Sequence, residues 1–285
     1  MANYLFPERG EKETLDRVFL GLLAIVGMWI GVGGIATVLF STLFGDIKAA
    51  WSEYLIGLIA FVPFLLGIYA YTSIIKRPFR SLITPKKNID VSHIVLGGVT
   101  WLFIISSFAL IGKVIEPNSF TYTFDPKVFL PAIVVLLLLL PIQTTVEELF
   151  FRGFLSQTIS TLVRNPVVIN VVTSLVFASL HLANPEVKDD YISALLVYGS
   201  IGFAWGFAAY LFGGLEISIG AHFANNAFGL LIVGYENSAL PSSALFTAPA
   251  AELSSSIVGS VLMMSIWLLL VLGLRRLLRI NNSID

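Results

Sequence analysis

VFLPAIVVLLLLLPIQTTVEELFFR, residues 128–152, runs through one of the most apolar parts of the chain, Val128–Ile142, and then sets down Glu147, Glu148 and Arg152. A carboxylate within hydrocarbon is costly, and such a residue normally faces the interior of a helix bundle and has a task there. Two of the three histidines lie further on in equally apolar surroundings, His181 in FASLH and His222 in GAHFANN. Apolar spans that carry a Glu-Glu pair and two separate imidazoles are the pattern of an active site built inside a membrane.

Composition supports this reading. Charged residues make up 12% of the 285-residue chain, against about 25% in soluble domains. A mean hydropathy of +0.88 indicates an all-α polytopic membrane protein, a single transmembrane domain over 1–285, rather than a soluble domain with an anchor. Cysteine is absent, which removes disulfides, thiolate nucleophiles and cysteine zinc sites. No dense basic block points to nucleic acid. The first 17 residues are too acidic and polar for a secretory leader, so the apolar run after them reads as a retained helix.

Eight crossings are expected, near 18–44, 53–75, 93–111, 128–150, 167–183, 192–213, 215–233 and 254–274, around a polar intramembrane cavity. Each is near the roughly 20 residues that hydrocarbon requires. The seventh is the shortest, and a re-entrant element or a seven-span arrangement is the alternative there. An even count with the N-terminus inside gathers Arg9, Lys12, Arg17, Lys76, Arg77, Arg80, Lys86, Lys87, Arg164, Arg275, Arg276 and Arg279 on the inner face. The outer face then receives Lys48, Lys113, Lys127 and Lys188. Twelve against four is a clear positive-inside bias, so both termini and the loop 76–92 are expected in the cytoplasm, with 112–127 and 234–252 outside. Trp51, Trp101 and Tyr191 are expected at the interfaces. The loop 234–252 is long enough to fold over the bundle.

On a helix Glu148 and Arg152 are i,i+4 neighbours able to pair, whereas Glu147 points about 100° away from Glu148. Glu147 stands 17 residues before Arg164 and His181 stands 17 after it. A hairpin turning at 164–166 therefore brings the two to one depth. His222 and Asn226 share a helix face, and Gly220, Ala221 and Ala224 around them allow close helix contact. Asn225 points elsewhere and reads as interhelical glue, and His93 as an interfacial residue. A carboxylate and an imidazole can position and deprotonate water. A second imidazole and an amide can donate to the oxyanion of a tetrahedral intermediate. Glu147, His181 and His222 could equally hold zinc with an open water position. Spacing does not separate the two versions.

These residues resemble the signatures of the CAAX protease and bacteriocin-processing family of intramembrane endopeptidases, the type II CAAX prenyl endopeptidase-like proteins. Its GluGluXaaXaaXaaArg motif is matched by Glu147, Glu148 and Arg152. PheXaaXaaXaaHis is matched by Phe177 and His181, and the final His with Asn four residues later by His222 and Asn226. The match covers roughly 128–233, the expected catalytic core. The resemblance implies an eight-helix bundle with a conical cavity opening toward the cytoplasm and the membrane. It implies water activation by Glu147 and His181, oxyanion stabilisation by His222 and Asn226, and support from Glu148 and Arg152. A metal-independent glutamate mechanism with no cofactor is preferred over the zinc version. The expected partner is a membrane-associated or prenylated-type peptide or protein, and the expected place a bacterial cell membrane. A non-catalytic peptide-binding immunity or scaffold protein is the rival, whereas a transporter lacks support in the absence of an internal repeat. One misfit accompanies these expectations: simple spans leave His222 about 12–15 Å nearer the cytoplasmic face than Glu147.

Overall fold

A computed structural model describes residues 4–7, 14–47, 49–188, 190–240, 243–250 and 253–277. Arg9, Lys12, Lys48 and Arg279 of the charge argument lie outside the described residues. Eight helical segments follow one another among those described. Six are long and apolar enough to cross a membrane: α1 (Leu15–Phe44), α2 (Ala50–Ile74), α3 (Val91–Ile115), α4 (Pro126–Ile159), α6 (Tyr191–Phe212) and α8 (Leu253–Leu277). Two are shorter, α5 (Pro166–Leu180) and α7 (Glu216–Leu231). At 1.5 Å per residue they measure about 22 and 24 Å, less than the ~30 Å hydrocarbon thickness. The protein is a polytopic, integral membrane protein with six candidate spans rather than the eight full crossings expected.

Local chemistry explains where the helices begin. Asp90, Asp125, Asn165 and Asp190 each accept a backbone N–H from the first turn of α3, α4, α5 and α6. Pro126 and Pro166 sit at the first helical position, where a missing N–H costs nothing. α6 ends on Gly213, whose φ of 76° is left-handed, the usual glycine stop.

Many apolar side chains face outward: Ile35, Val38, Val99, Phe103, Leu137, Leu138 and Leu269 are all exposed. Among the apolar clusters of the interior stand Glu148, Arg152, Asn170, Ser218 and His222, all buried. α7 packs within the bundle, buried from Glu216 to His222 and half-buried over much of its second half. It lies almost in backbone contact with α3: a Cβ on Gly97 would stand 2.0 Å from the Ile217 carbonyl oxygen, and one on Gly220 would stand 1.9 Å from that of Ile94. Small residues permit this approach, as the sequence around Gly220 implied.

Side-chain contacts identify two faces. On one, β1 (Thr121–Tyr122) pairs antiparallel with β3 (Phe246–Ala248), which pairs in parallel with β2 (Val233–Tyr235). Here a described part of the 234–252 segment ties back to the bundle: Ser243 is buried, its backbone N–H donating to the Tyr54 hydroxyl at 2.9 Å. On the opposite face, the Leu215 N–H donates to the Ile83 carbonyl at 2.8 Å, Gln157 donates to Ser81 at 3.2 Å, and Arg164 lies over Phe6. Tyr4 and Leu5 are buried there in a cluster with Leu82, Phe151, Phe154 and Leu215.

One expectation needs correction. Trp101 is not near a span end: ten residues into α3 it lies fully buried between Trp205 and Trp267. His93 stands in the first turn of α3, buried by protein, with Phe212 edge-on to its ring and Asp90 Oδ2 3.7 Å from Nδ1.

Candidate active site

α4 supplies four polar side chains over little more than two turns: Gln143, Glu147, Glu148 and Arg152. A π-helical stretch, Leu149–Leu155, begins directly after the carboxylates, and such widened turns often accompany functional sites. Within it Arg152 returns over Glu148, Nη1 donating to Oε1 at 2.9 Å. Its Nη2 donates to the Gly202 carbonyl of α6 at 3.1 Å, and the guanidinium lies 4.7 Å above the Phe177 ring. Glu148 and Arg152 are 0% and 1% exposed. Charges held this deep depend on each other, because removing either partner strands the other.

Glu148 has a second partner. Its Oε1 accepts from His222 Nδ1 at 2.9 Å, while His222 Nε2 stands 3.6 Å from Glu147 Oε2. The splay between adjacent helical residues thus lets the two carboxylates straddle one imidazole, one at each nitrogen. Trp205 stacks on the ring at 4.5 Å. Glu147 Oε1 accepts from Gln143 Nε2 at 2.6 Å, and Gln143 Oε1 accepts from Asn226 Nδ2 at 3.0 Å. Glu147 Oε2 is buried without a hydrogen-bond partner among the described residues. Gln143 was overlooked in the sequence. Its signal was an amide one turn before Glu147, on the same face of an apolar helix. Asn225 serves as the expected glue, accepting from Trp101 Nε1 of α3 at 3.3 Å.

His181 caps the end of α5. Its Nδ1 lies 2.8 Å from the Phe177 carbonyl oxygen; since a carbonyl only accepts, Nδ1 is the donor, and in the neutral ring the lone pair is then on Nε2. The ring is held between Phe177 at 4.4 Å and Tyr198 at 4.6 Å. His181 makes no hydrogen bond to Glu147 among the described residues, yet both line one cavity of about 440 Å³, together with Gln143, Trp205, His222 and Asn226. The hairpin therefore brings them to one chamber, as their equal distances from Arg164 implied.

The misfit in depth disappears for a structural reason. α7 does not start level with Arg164. Leu82 and Leu215 both meet Gly153, because the segment after α2 tucks inward and carries the start of α7 with it. Gly153 is five residues beyond Glu148, and His222 is seven beyond Leu215, so the two side chains meet.

The chamber extends past Glu186, Tyr235 and Leu240, on the face of the small sheet. At its other end stands the cluster of Phe150, Phe151, Phe154, Leu215 and Ile219, sealed further by Tyr4 and Leu5. The resemblance implied a cavity opening toward the cytoplasm and the membrane; the lining residues reach the face of the small sheet, opposite the 76–92 face. Near the mouth, burial pushes the Tyr235 phenol well above its ordinary pKa and Glu186 adds to the rise, which keeps that hydroxyl a donor.

Glu147, His181 and His222 were the candidate zinc ligands. Among the described residues no three His, Asp or Glu side chains converge to hold a metal. His222 Nδ1 faces Glu148 and His181 Nδ1 a carbonyl, so a metal could be met only through their Nε2 atoms, and with Glu147 these do not converge. The three do not fit a zinc site in this arrangement.

Residues 128–228 match the model of a family described as type II CAAX prenyl endopeptidase Rce1-like. The chain is 35% identical over 254 residues to the uncharacterized protein YyaK of Bacillus subtilis (strain 168), covering 84% of each chain. No solved structure matches.

Proposed function

Since the chain belongs to the type II CAAX prenyl endopeptidase Rce1-like family, we propose that it is an intramembrane endopeptidase acting on a membrane-associated peptide or protein. One observation carries the reading: Glu147 Oε2 is buried, has no hydrogen bond among the described residues and fronts the cavity that His181, His222 and Asn226 also line.

In this mechanism the peptide lies in the chamber with its scissile carbonyl toward His222 and Asn226. A water held between Glu147 Oε2 and His181 Nε2 attacks the carbonyl carbon as Glu147 takes its proton. The new C–O bond forms, and the oxyanion is met by the second N–H of Asn226 and by His222 in its protonated form. Collapse breaks the C–N bond, and the proton passes to the departing amine, leaving a carboxylate and an amine. Glu148 orients His222 through Nδ1, and Arg152 holds Glu148. The low dielectric around the site strengthens each of these contacts. No step is routed through a metal.

The positive-inside bias would put the mouth of the chamber on the outer side of a bacterial cell membrane, with both termini in the cytoplasm. Substrate would then enter from outside, unlike a prenylated C-terminus delivered from the cytoplasm. The test is mass spectrometry of membrane-active peptides incubated with wild type and with Glu147→Gln. Products from wild type alone support the protease. Peptide binding without cleavage by either protein would favour the scaffold reading instead.

A further inference from the structure

Glu186 stands apart from the catalytic set yet lines the same chamber. It sits in a short 3₁₀ turn, Pro185–Val187, just beyond His181. Three donors converge on its Oε1: the Tyr198 hydroxyl at 2.5 Å, the Asn184 amide at 3.0 Å and the Tyr235 hydroxyl at 3.3 Å. Its Oε2 is buried and has no partner among the described residues. A carboxylate with one oxygen saturated by three neutral donors and the other left open is an acceptor site lacking its donor. An orphaned buried oxygen of this kind is expensive unless something fills it.

Position and surroundings say what that donor is. Tyr198 bridges the two sites, its ring stacked on His181 and its hydroxyl on Glu186. Glu186 thus lies one tyrosine ring from His181, which helps hold the attacking water, and so within a residue or two of the scissile bond at about 3.3 Å per extended residue. Among the described residues no lysine or arginine lines the chamber. The described residues on this face within 45–53, 112–127, 183–190 and 234–250 include seven Asp and Glu against three Lys. Such a rim draws cations toward the mouth.

We propose that Glu186 is the specificity-determining subsite for a cationic group of the substrate, a Lys or Arg side chain or an N-terminal ammonium, which completes the empty position at Oε2. The inference rests on the protease reading only in taking the ligand to be a peptide. Binding and cleavage therefore separate the two. The probes are a fluorescently labelled apolar peptide with one central lysine and its norleucine counterpart, added to the full chain in lipid nanodiscs.

Wild type should bind the lysine peptide about 10- to 100-fold more tightly, the worth of one charge-assisted hydrogen bond in a buried site. Glu186→Gln, which keeps the shape and an acceptor oxygen, should lose most of that preference while holding the norleucine peptide as before. Glu186→Lys should reverse it toward a glutamate-bearing peptide. Equal binding of both probes by wild type overturns the subsite, whether or not either variant folds. So does a Glu186→Gln protein that weakens both probes equally, since that is the mark of a structural tie for Tyr198 and Tyr235. Cleavage of neither probe, with the lysine preference intact, would count against the protease and leave the subsite standing.

Discussion

His222 Nδ1 lies 2.9 Å from Glu148 Oε1, the same oxygen that accepts from Arg152. The second carboxylate of the pair is therefore more than a partner for the arginine: it links the ion pair of α4 to the imidazole of α7.

Arg152→Ala should lower thermal stability in detergent and activity together. Truncation leaves Glu148 buried without its cation, and breaking such a pair costs about 3–5 kcal/mol. Glu148→Gln should be milder on stability, because the amide oxygen can still accept from Arg152, but turnover should fall as His222 loses its charged partner. Differential scanning fluorimetry beside a peptide cleavage assay separates the two. Full stability with lost turnover in Arg152→Ala would move the arginine into the catalytic set.

The amide chain Asn226–Gln143–Glu147 makes a second expectation. Asn226→Ala removes an oxyanion donor, worth about 3–4 kcal/mol, and turnover should drop about 100- to 1,000-fold. Gln143→Leu should also slow turnover while leaving the protein folded, because Glu147 Oε1 then loses its only hydrogen bond among the described residues. Metal analysis belongs with these assays. Stoichiometric zinc, with activity lost on chelation and restored on its return, would replace the glutamate mechanism by a Glu147, His181, His222 site.

The contact between α3 and α7 sets where His222 stands. Gly220→Leu must push aside the Ile94 backbone, and such overpacking costs about 1–3 kcal/mol or more. Its melting temperature should fall and activity should fall with it, since His222 is two residues away. Gly112→Ala in α3 meets nothing within 4 Å and gains helix propensity, so its melting temperature should hold or rise. Equal behaviour of the two variants would refute the packing argument.

Sidedness can be read by labelling, since the chain has no cysteine. Ser243, an obvious position from sequence, is buried against Tyr54 and unsuitable. Asn118 and Asn88 are exposed on opposite faces. An impermeant maleimide added to intact cells should label Asn118→Cys and spare Asn88→Cys. The reverse would turn the chamber toward the cytoplasm, together with the side from which substrate arrives.

Much of this protein was written along the chain. Membrane embedding, the helical segments and their caps follow from hydropathy and from the need of each backbone group to find a partner within its own segment. Both act over neighbouring residues. Glu147, Glu148, Arg152, His181, His222 and Asn226 could be named for the same reason: a polar group in hydrocarbon stands out in sequence. The two short helices were less legible, because a 16-residue buried helix and a full span share one composition. Which nitrogen of His222 faces which carboxylate, the part of Gln143, the depth of α7 and the face on which the chamber opens came only with the tertiary structure. Each depends on the rotation and height of one helix against another, and those are set by contacts between distant parts of the chain: Gly97 against Ile217, Gly220 against Ile94, and Leu82 and Leu215 against Gly153. Periodicity fixes the face a residue shares with its neighbours on one helix, but carries no record of how far that helix has slid past the next.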